Sequence, residues 1–192
     1  MIILETKYIS DIEGTLVYME GQCMIQNMLF DDTTLEEIIV PLIHKDDSEM
    51  AIILDDTLSQ LLKSFKIVHF DDTHAHFGEI SYVYEKGEVL TWGTRLPKKI
   101  GIMEIPKVLP DGHVTLKISG DRLIIDDTLE TKIFYKFENF EETLDVNMNL
   151  LKKVFEKHSN ESFMLYLESE FPIGIEFLGP MKVRYYVAPL AI

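Results

Sequence analysis

The chain has 192 residues, 46% of them hydrophobic and 27% charged, with a net charge of −15; that is enough apolar chain for one or two globular domains and too much for a disordered one. A charge of that sign spread evenly would repel nucleic acid and membrane surfaces, so any nucleic-acid role requires locally concentrated lysine. Cys23 stands alone, which excludes a disulfide within the chain; Met1–Gly14 does not read as a signal peptide, and no apolar run nears the ~20 residues that span a bilayer, so an intracellular or intravirion protein is expected.

Met1 to Gly14 leaves room for a strand and at most one helical turn, around Tyr8–Glu13. Alternating apolar runs then predict strands over Thr15–Met19, Met24–Met28, Glu36–Leu42 and Ala51–Leu54. A helix is predicted over Thr57–Lys66, where Leu58, Leu61, Leu62 and Phe65 recur at helical spacing and Lys63 and Lys66 lie off the stripe. Strands resume at Ile67–Phe70, His76–Tyr84 and Glu88–Thr94, with a hairpin turn at Glu85–Glu88 around Gly87. Pro97 to Pro110, PKKIGIMEIPKVLP, reads as an extended linker that exposes aliphatic residues.

Beyond it, strands fit Val114–Ser119, Arg122–Asp126 and Lys132–Phe137. Asp145 is expected to cap a second helix whose apolar stripe is Met148, Leu151 and Phe155, widened by Leu150 and Val154, with Lys152, Lys153 and Lys157 off it. Strands at Phe163–Leu167, Ile173–Leu178 and Val183–Val187 close the chain, punctuated by Pro172 and Gly179-Pro180. Strands far outnumber helices, so the class is α+β with antiparallel sheets.

The chain also repeats itself. Asp55, Leu58, Leu61, Lys63 and Phe65 match Asp145, Met148, Leu151, Lys153 and Phe155 at one constant offset. Upstream of each helix lies a turn glycine, an apolar strand, an Asp-Asp-Thr stretch and a second strand: Gly21–Leu42 in the first half, Gly120–Phe137 in the second. Downstream, Leu90–Pro97 parallels Val183–Pro189. Two copies of one unit are therefore expected, residues 1–96 and 107–192, with 97–106 connecting them.

Chemistry-bearing candidates are few. His69, Asp71, Asp72, His74 and His76 form a metal-like cluster, but spacing fixes no third ligand and the acids read as a turn. The pairs Asp31-Asp32, Asp46-Asp47, Asp55-Asp56 and Asp126-Asp127 recur at turns and helix starts, which suits capping better than two-metal chemistry. Trp92 and Phe171 offer aromatic faces for base stacking, though Trp92 stands in a predicted closing strand where packing accounts for it. No phosphate loop, nucleophile elbow or metalloprotease motif occurs, so neither an enzyme nor a cofactor is expected.

The helix, the strand ending in an acidic residue before Pro172 and the final strand closing in Tyr185-Tyr186-Val187-Ala188-Pro189 resemble the C-terminal part of the DNA sliding clamps, above all proliferating cell nuclear antigen and its archaeal and viral relatives. The resemblance covers most of the chain. It implies two clamp-like domains, each with one main helix where the family usually has two, self-association into a homotrimeric ring, and a non-enzymatic role as processivity factor at the site of DNA replication. Duplex DNA would pass through the ring along Lys63, Lys66, Lys152, Lys153 and Lys157, without sequence preference. A groove built from Met103, Ile105, Pro106, Pro172, Tyr186, Ala188 and Pro189 would take short apolar peptides of a DNA polymerase and other partners, and a clamp loader would open the ring. The other reading is a clamp-derived interaction module or regulator that does not encircle DNA.

Overall fold

The structure, a computed structural model, describes residues 1–45, 49–90 and 97–188. Contacts divide the chain into two units, one of Met1–Asn27 with Glu37–Leu90, the other of Met28–Glu36 with Thr91–Ile192. Two copies of one element order make up the described residues, and the class is α+β, as the sequence implies.

The first copy runs β1 (Ile2–Glu5), a 3₁₀ turn (Thr6–Tyr8), β2 (Thr15–Met19), β3 (Gln22–Leu29), β4 (Thr34–Val40), β5 (Met50–Ile53), α1 (Asp56–Ser64), β6 (Ile67–Phe70), β7 (His74–Phe77) and β8 (Ile80–Val83). The second runs β9 (Lys98–Glu104), β10 (His113–Ser119), β11 (Arg122–Ile125), β12 (Leu129–Lys136), β13 (Thr143–Asn147), α2 (Met148–Glu156), β14 (Ser162–Leu167), β15 (Ile173–Phe177) and β16 (Val183–Val187). Each strand of one copy has its counterpart in the other, and each helix falls between the fifth and sixth strands.

In the first unit, β1, β6, β7 and β8 form one antiparallel sheet in that order, and β5 pairs with β2, which pairs with β3. Ile2 and Leu4 on β1, Val68 and Phe70 on β6, and Phe77 on β7 point inward at period two and meet Leu58 and Leu62 of α1 in one core. The strand predicted over His76–Tyr84 is instead the hairpin β7–β8: Phe77 pairs with Ile80, and Gly78 sits at φ 63, the positive angle wanted at the first central position of a II′ turn. The predicted turn around Gly87 is instead extended chain beside β5, with the Ile53 amide donating to Glu85 O at 2.9 Å and the Gly87 amide to Ala51 O at 2.9 Å. The rest of the predicted strand Glu88–Thr94, Trp92 included, falls on residues outside those described from Thr91 onward, as does the acidic pair Asp46-Asp47.

The second unit is one sheet ordered β13-β10-β11-β12-β9-β14-β15-β16. Here the segment expected to be a connector forms an interior strand. β9 is hydrogen-bonded on one side to β12 and on the other to β14, with Ile100 and Met103 fully buried. Prolines at both ends suggested a strap; the physical reason for a strand is that the aliphatic residues between them find backbone partners on both edges. Gly101 permits the crossing, since a Cβ there would lie 2.3 Å from Ile133 Cγ2 and 2.7 Å from Tyr135 O. Met148, Leu151, Val154 and Phe155 of α2 cover the sheet's inner face, each buried side chain contributing ~1.5–3 kcal/mol of apolar transfer.

Candidate DNA-facing and partner-binding surfaces

Both helices are capped by short polar side chains. Asp55 caps α1, its Oδ1 accepting the Leu58 amide at 2.8 Å, and its Oδ2 accepts the Tyr82 hydroxyl at 2.7 Å. The cap of α2 is Asn147, whose Oδ1 accepts the Asn149 amide at 3.1 Å, and not Asp145. Asp145 lies inside β13 and accepts the Thr115 hydroxyl at 3.2 Å, because Val146 is needed as a buried strand residue before the helix can begin.

The five lysines expected to face DNA separate into kinds. Lys63 is exposed in the last turn of α1 with Nζ 3.4 Å from Asp11. Lys66 is exposed but off the helix, because α1 ends at Ser64 and the chain is extended at Phe65 before β6. On α2, Lys152 is ion-paired with Asp111, Lys153 Nζ lies 5.0 Å over the Phe30 ring, and Lys157, the C-cap, places Nζ 3.3 Å from Glu36 Oε1.

Glu36 belongs to a buried relay that the sequence does not show. Its Oε1 accepts the Tyr185 hydroxyl at 2.7 Å; Tyr185 Oη lies 3.0 Å from His158 Nε2, and His158 Nδ1 lies 3.0 Å from Glu161 Oε1. The imidazole stacks on Phe177 at 3.9 Å. Burial and the adjacent Glu36 carboxylate push the Tyr185 phenol well above its ordinary value. The relay ties the tip of the β3–β4 hairpin to α2 and β16, and beside it the Ala188 amide donates to Thr33 O at 2.9 Å. The tip turns through Phe30, Asp31 and Asp32 at φ 55, 56 and 59, and Asp126 and Asp127 repeat that left-handed turn at φ 50 and 54. Those Asp pairs are turn residues, as read, but their recurrence gave no sign that the first turn abuts the C-terminal strand.

The expected peptide groove does not assemble from its seven residues. Met103 is fully buried in the core. Ile105 and Pro106 line a cleft of about 460 Å³ with Leu109, Lys152 and Phe155. Pro172, Tyr186 and Ala188 lie at the other end of the sheet. The register runs Lys98–Leu167 at that end, with Val187 against Ile173, and Glu104–Ser162 at the end carrying Ile105. Six residue steps of strand, ~20 Å, separate the two sets. The hairpin tip, not Ile105–Pro106, is what meets Ala188; Pro189 lies outside the described residues.

The histidine cluster is knit into its own loop. His76 Nε2 lies 2.7 Å from Asp71 Oδ2 and its Nδ1 2.9 Å from Ser81 Oγ, while His74 Nδ1 meets Thr73 Oγ1 at 2.7 Å. Asp71 also accepts the amides of Thr73 and His74, and these bonds, His76 first, hold its carboxyl well below the usual range. Among the described residues no group of three His, Cys, Asp or Glu is placed to hold a metal. Phe171 is half-buried at a bend, and Cys23 is buried with its thiol pushed up to about 12.

Solved structures match this architecture along its whole length. PCNA of A. fulgidus, in a structure with the C-terminal region of FEN-1 bound, aligns over 100% of this chain and 99% of its own at 17% identity and TM-score 0.55. The PCNA2–PCNA3 complex of Sulfolobus tokodaii aligns over 98% of each chain at 12% identity and TM-score 0.52. PCNA of Entamoeba histolytica aligns over 99% of each at 13% identity and TM-score 0.56. The chain has the fold of the PCNA sliding clamps. No family model matches the sequence, and no curated protein does. Among the described residues no helix is long and apolar enough to cross a membrane.

Proposed function

We propose that this clamp-fold chain is a non-enzymatic sliding clamp, its subunits closing into a homotrimeric ring around duplex DNA and tethering a polymerase and other partners by short apolar peptides. What supports this best is the full-length likeness to clamps together with the repeat: α1 and α2 occupy equivalent places in the two units and both carry lysine in a chain of net charge −15. Lysines following phosphates give salt-sensitive attraction without sequence preference. The peptide end of the molecule is Pro172, Tyr186 and Ala188 with the hairpin tip around Thr33.

The ion pairs favour a second reading. Lys63, Lys152 and Lys157 already have carboxylate partners in Asp11, Asp111 and Glu36, so DNA must compete for them. A clamp-derived interaction module that does not encircle DNA needs no such competition. Light-scattering mass and retention on closed versus linearised plasmid separate the two. A trimer that stays on the closed circle and slides off linear DNA supports the ring; a monomer that is retained on neither supports the module.

A further inference from the structure

The outer face of the second unit's sheet carries an aromatic and basic strip that the clamp reading does not use. Along β12, Ile133 points into the core opposite buried Met103, so Lys132 takes the outer face, as does Tyr135 after the bulge at Phe134. Phe137 follows on the same side. Tyr135 is 62% exposed and Phe137 43%, and their rings lie 5.0 Å apart at 49°. Isolated apolar residues on a surface need no explanation, but two large rings side by side on a sheet face remain wet at a cost.

Cations surround the pair. Lys99 on the neighbouring strand holds Nζ 4.1 Å over the Phe137 ring, and Arg122 pairs across from Lys132. The acids on the same face are Glu130, ion-paired with Arg122, and Glu104, which the β9–β12 register sets opposite Lys132. In a chain of net charge −15, Lys99, Lys132 and Arg122 outnumber these two acids around the exposed rings.

We propose that this face binds unpaired nucleic acid, Tyr135 and Phe137 stacking successive bases while Lys99 and Lys132 follow the phosphates. Every base has a π-face, so stacking on aromatics accepts any sequence, and lysines beside the rings supply the salt-dependent part. Sheet faces that display a few aromatics are known to receive two or three splayed bases in this way. A duplex keeps its bases stacked on one another and cannot offer them. A protein partner would also cover the rings, but nothing in that case requires the lysines around them.

Fluorescence anisotropy of a labelled oligothymidylate tests this, with unlabelled single strand and duplex of equal length as competitors. The single strand is expected to bind at low salt, with duplex a weaker competitor. Tyr135→Ala and Phe137→Ala should each weaken binding at least about fivefold, the low end of one stacked base, and Lys99→Glu should weaken it further and flatten the salt dependence. All three side chains are at the surface, so circular dichroism should be unchanged. Equal binding by the aromatic variants, equal competition by duplex, or no binding by the wild type would each overturn the proposal. A change in solution mass on Tyr135→Ala, with oligonucleotide binding intact, would show the face to be a protein contact instead.

Discussion

The phenolic hydroxyl of Tyr185 donates to Glu36 Oε1 at 2.7 Å, joining the C-terminal strand to the hairpin tip inside the second unit. Glu36 is a carboxylate that is 8% exposed, and Lys157 Nζ lies 3.3 Å from the same oxygen. Tyr185→Phe removes the hydroxyl while keeping the ring that packs on Phe177. The buried carboxylate and His158 Nε2 each lose a partner, and ~1–3 kcal/mol of stability should go with them. The measurement is the urea midpoint, together with hydrogen exchange over residues 28–36. An unchanged midpoint would mean that the relay adds nothing net.

Alkali should unfold the protein through its buried phenols. Tyr84 donates its hydroxyl to Asp71 O at 2.6 Å, and burial, then the charges of Asp71 and Asp72, push its pKa from 10.0 to about 12. The unfolded phenol ionises near 10 while the folded one stays neutral. The unfolded state therefore releases protons first, and stability present below pH 10 falls as pH rises toward 12. Tyr185 acts in the same direction. Denaturant midpoints taken across that range should decline, and Tyr84→Phe should lessen the decline; a flat profile would contradict the assignment.

How much of this was legible can be read from particular residues. The 3.6-residue period of Leu58, Leu61, Leu62 and Phe65 sufficed for α1 because an amphipathic stripe is a local signal. Its end is not marked locally, since Phe65 and Lys66 continue the pattern and the pairing of Ile67 with Glu5 on β1 decides that β6 starts there. β9 is hidden in the sequence for a related reason. A segment bounded by prolines looks like a strap unless one knows that β12 and β14 wait on both sides, and that is a non-local fact. The same register separates Ile105-Pro106 from Ala188, which family likeness alone brings together. The Glu36–Tyr185–His158 relay spans sequence positions with no motif between them, so nothing local announces it.

Cys23 should be inert in the folded protein. It is buried, and burial pushes its thiol up to about 12, so almost no thiolate forms near neutral pH. An aromatic disulfide reagent should titrate no thiol in native buffer and one per chain in denaturant. Rapid native labelling would show that β3 opens far more easily than its packing implies.

Gly101→Ala should destabilise the second unit. The added methyl would lie 2.7 Å from Tyr135 O, a backbone atom, and 2.3 Å from Ile133 Cγ2, so β9 and β12 must part where both bulge. Overpacking of this kind typically costs ~1–3 kcal/mol. Gly112→Ala is the comparison, since it meets nothing within 4 Å and at φ 77 carries only the backbone strain of a left-handed residue. If both variants melt alike, the close approach at Gly101 is relieved by strand movement and the bulge is softer than its geometry suggests.

The location of the partner site can be decided by two variants at opposite ends of one sheet. Ala188 sits where its amide donates to Thr33 O at 2.9 Å, beside the hairpin tip and the strand start after Pro172. Ile105 sits at the far end of β9, beside Lys152 and Phe155. An aromatic-rich clamp-binding peptide needs an apolar pocket for its anchors, and one buried charge there removes much of the affinity. Ala188→Glu should therefore weaken the peptide by ~2 kcal/mol or more. Ile105→Asp should leave peptide affinity near that of the wild type, although it will lower the melting temperature, because Ile105 packs partly on the second core. Titration calorimetry with melting curves on both variants separates the outcomes. Loss of binding on Ile105→Asp with Ala188→Glu unaffected would move the site to the cleft beside α2. If both bind like the wild type, neither end of the sheet takes the peptide.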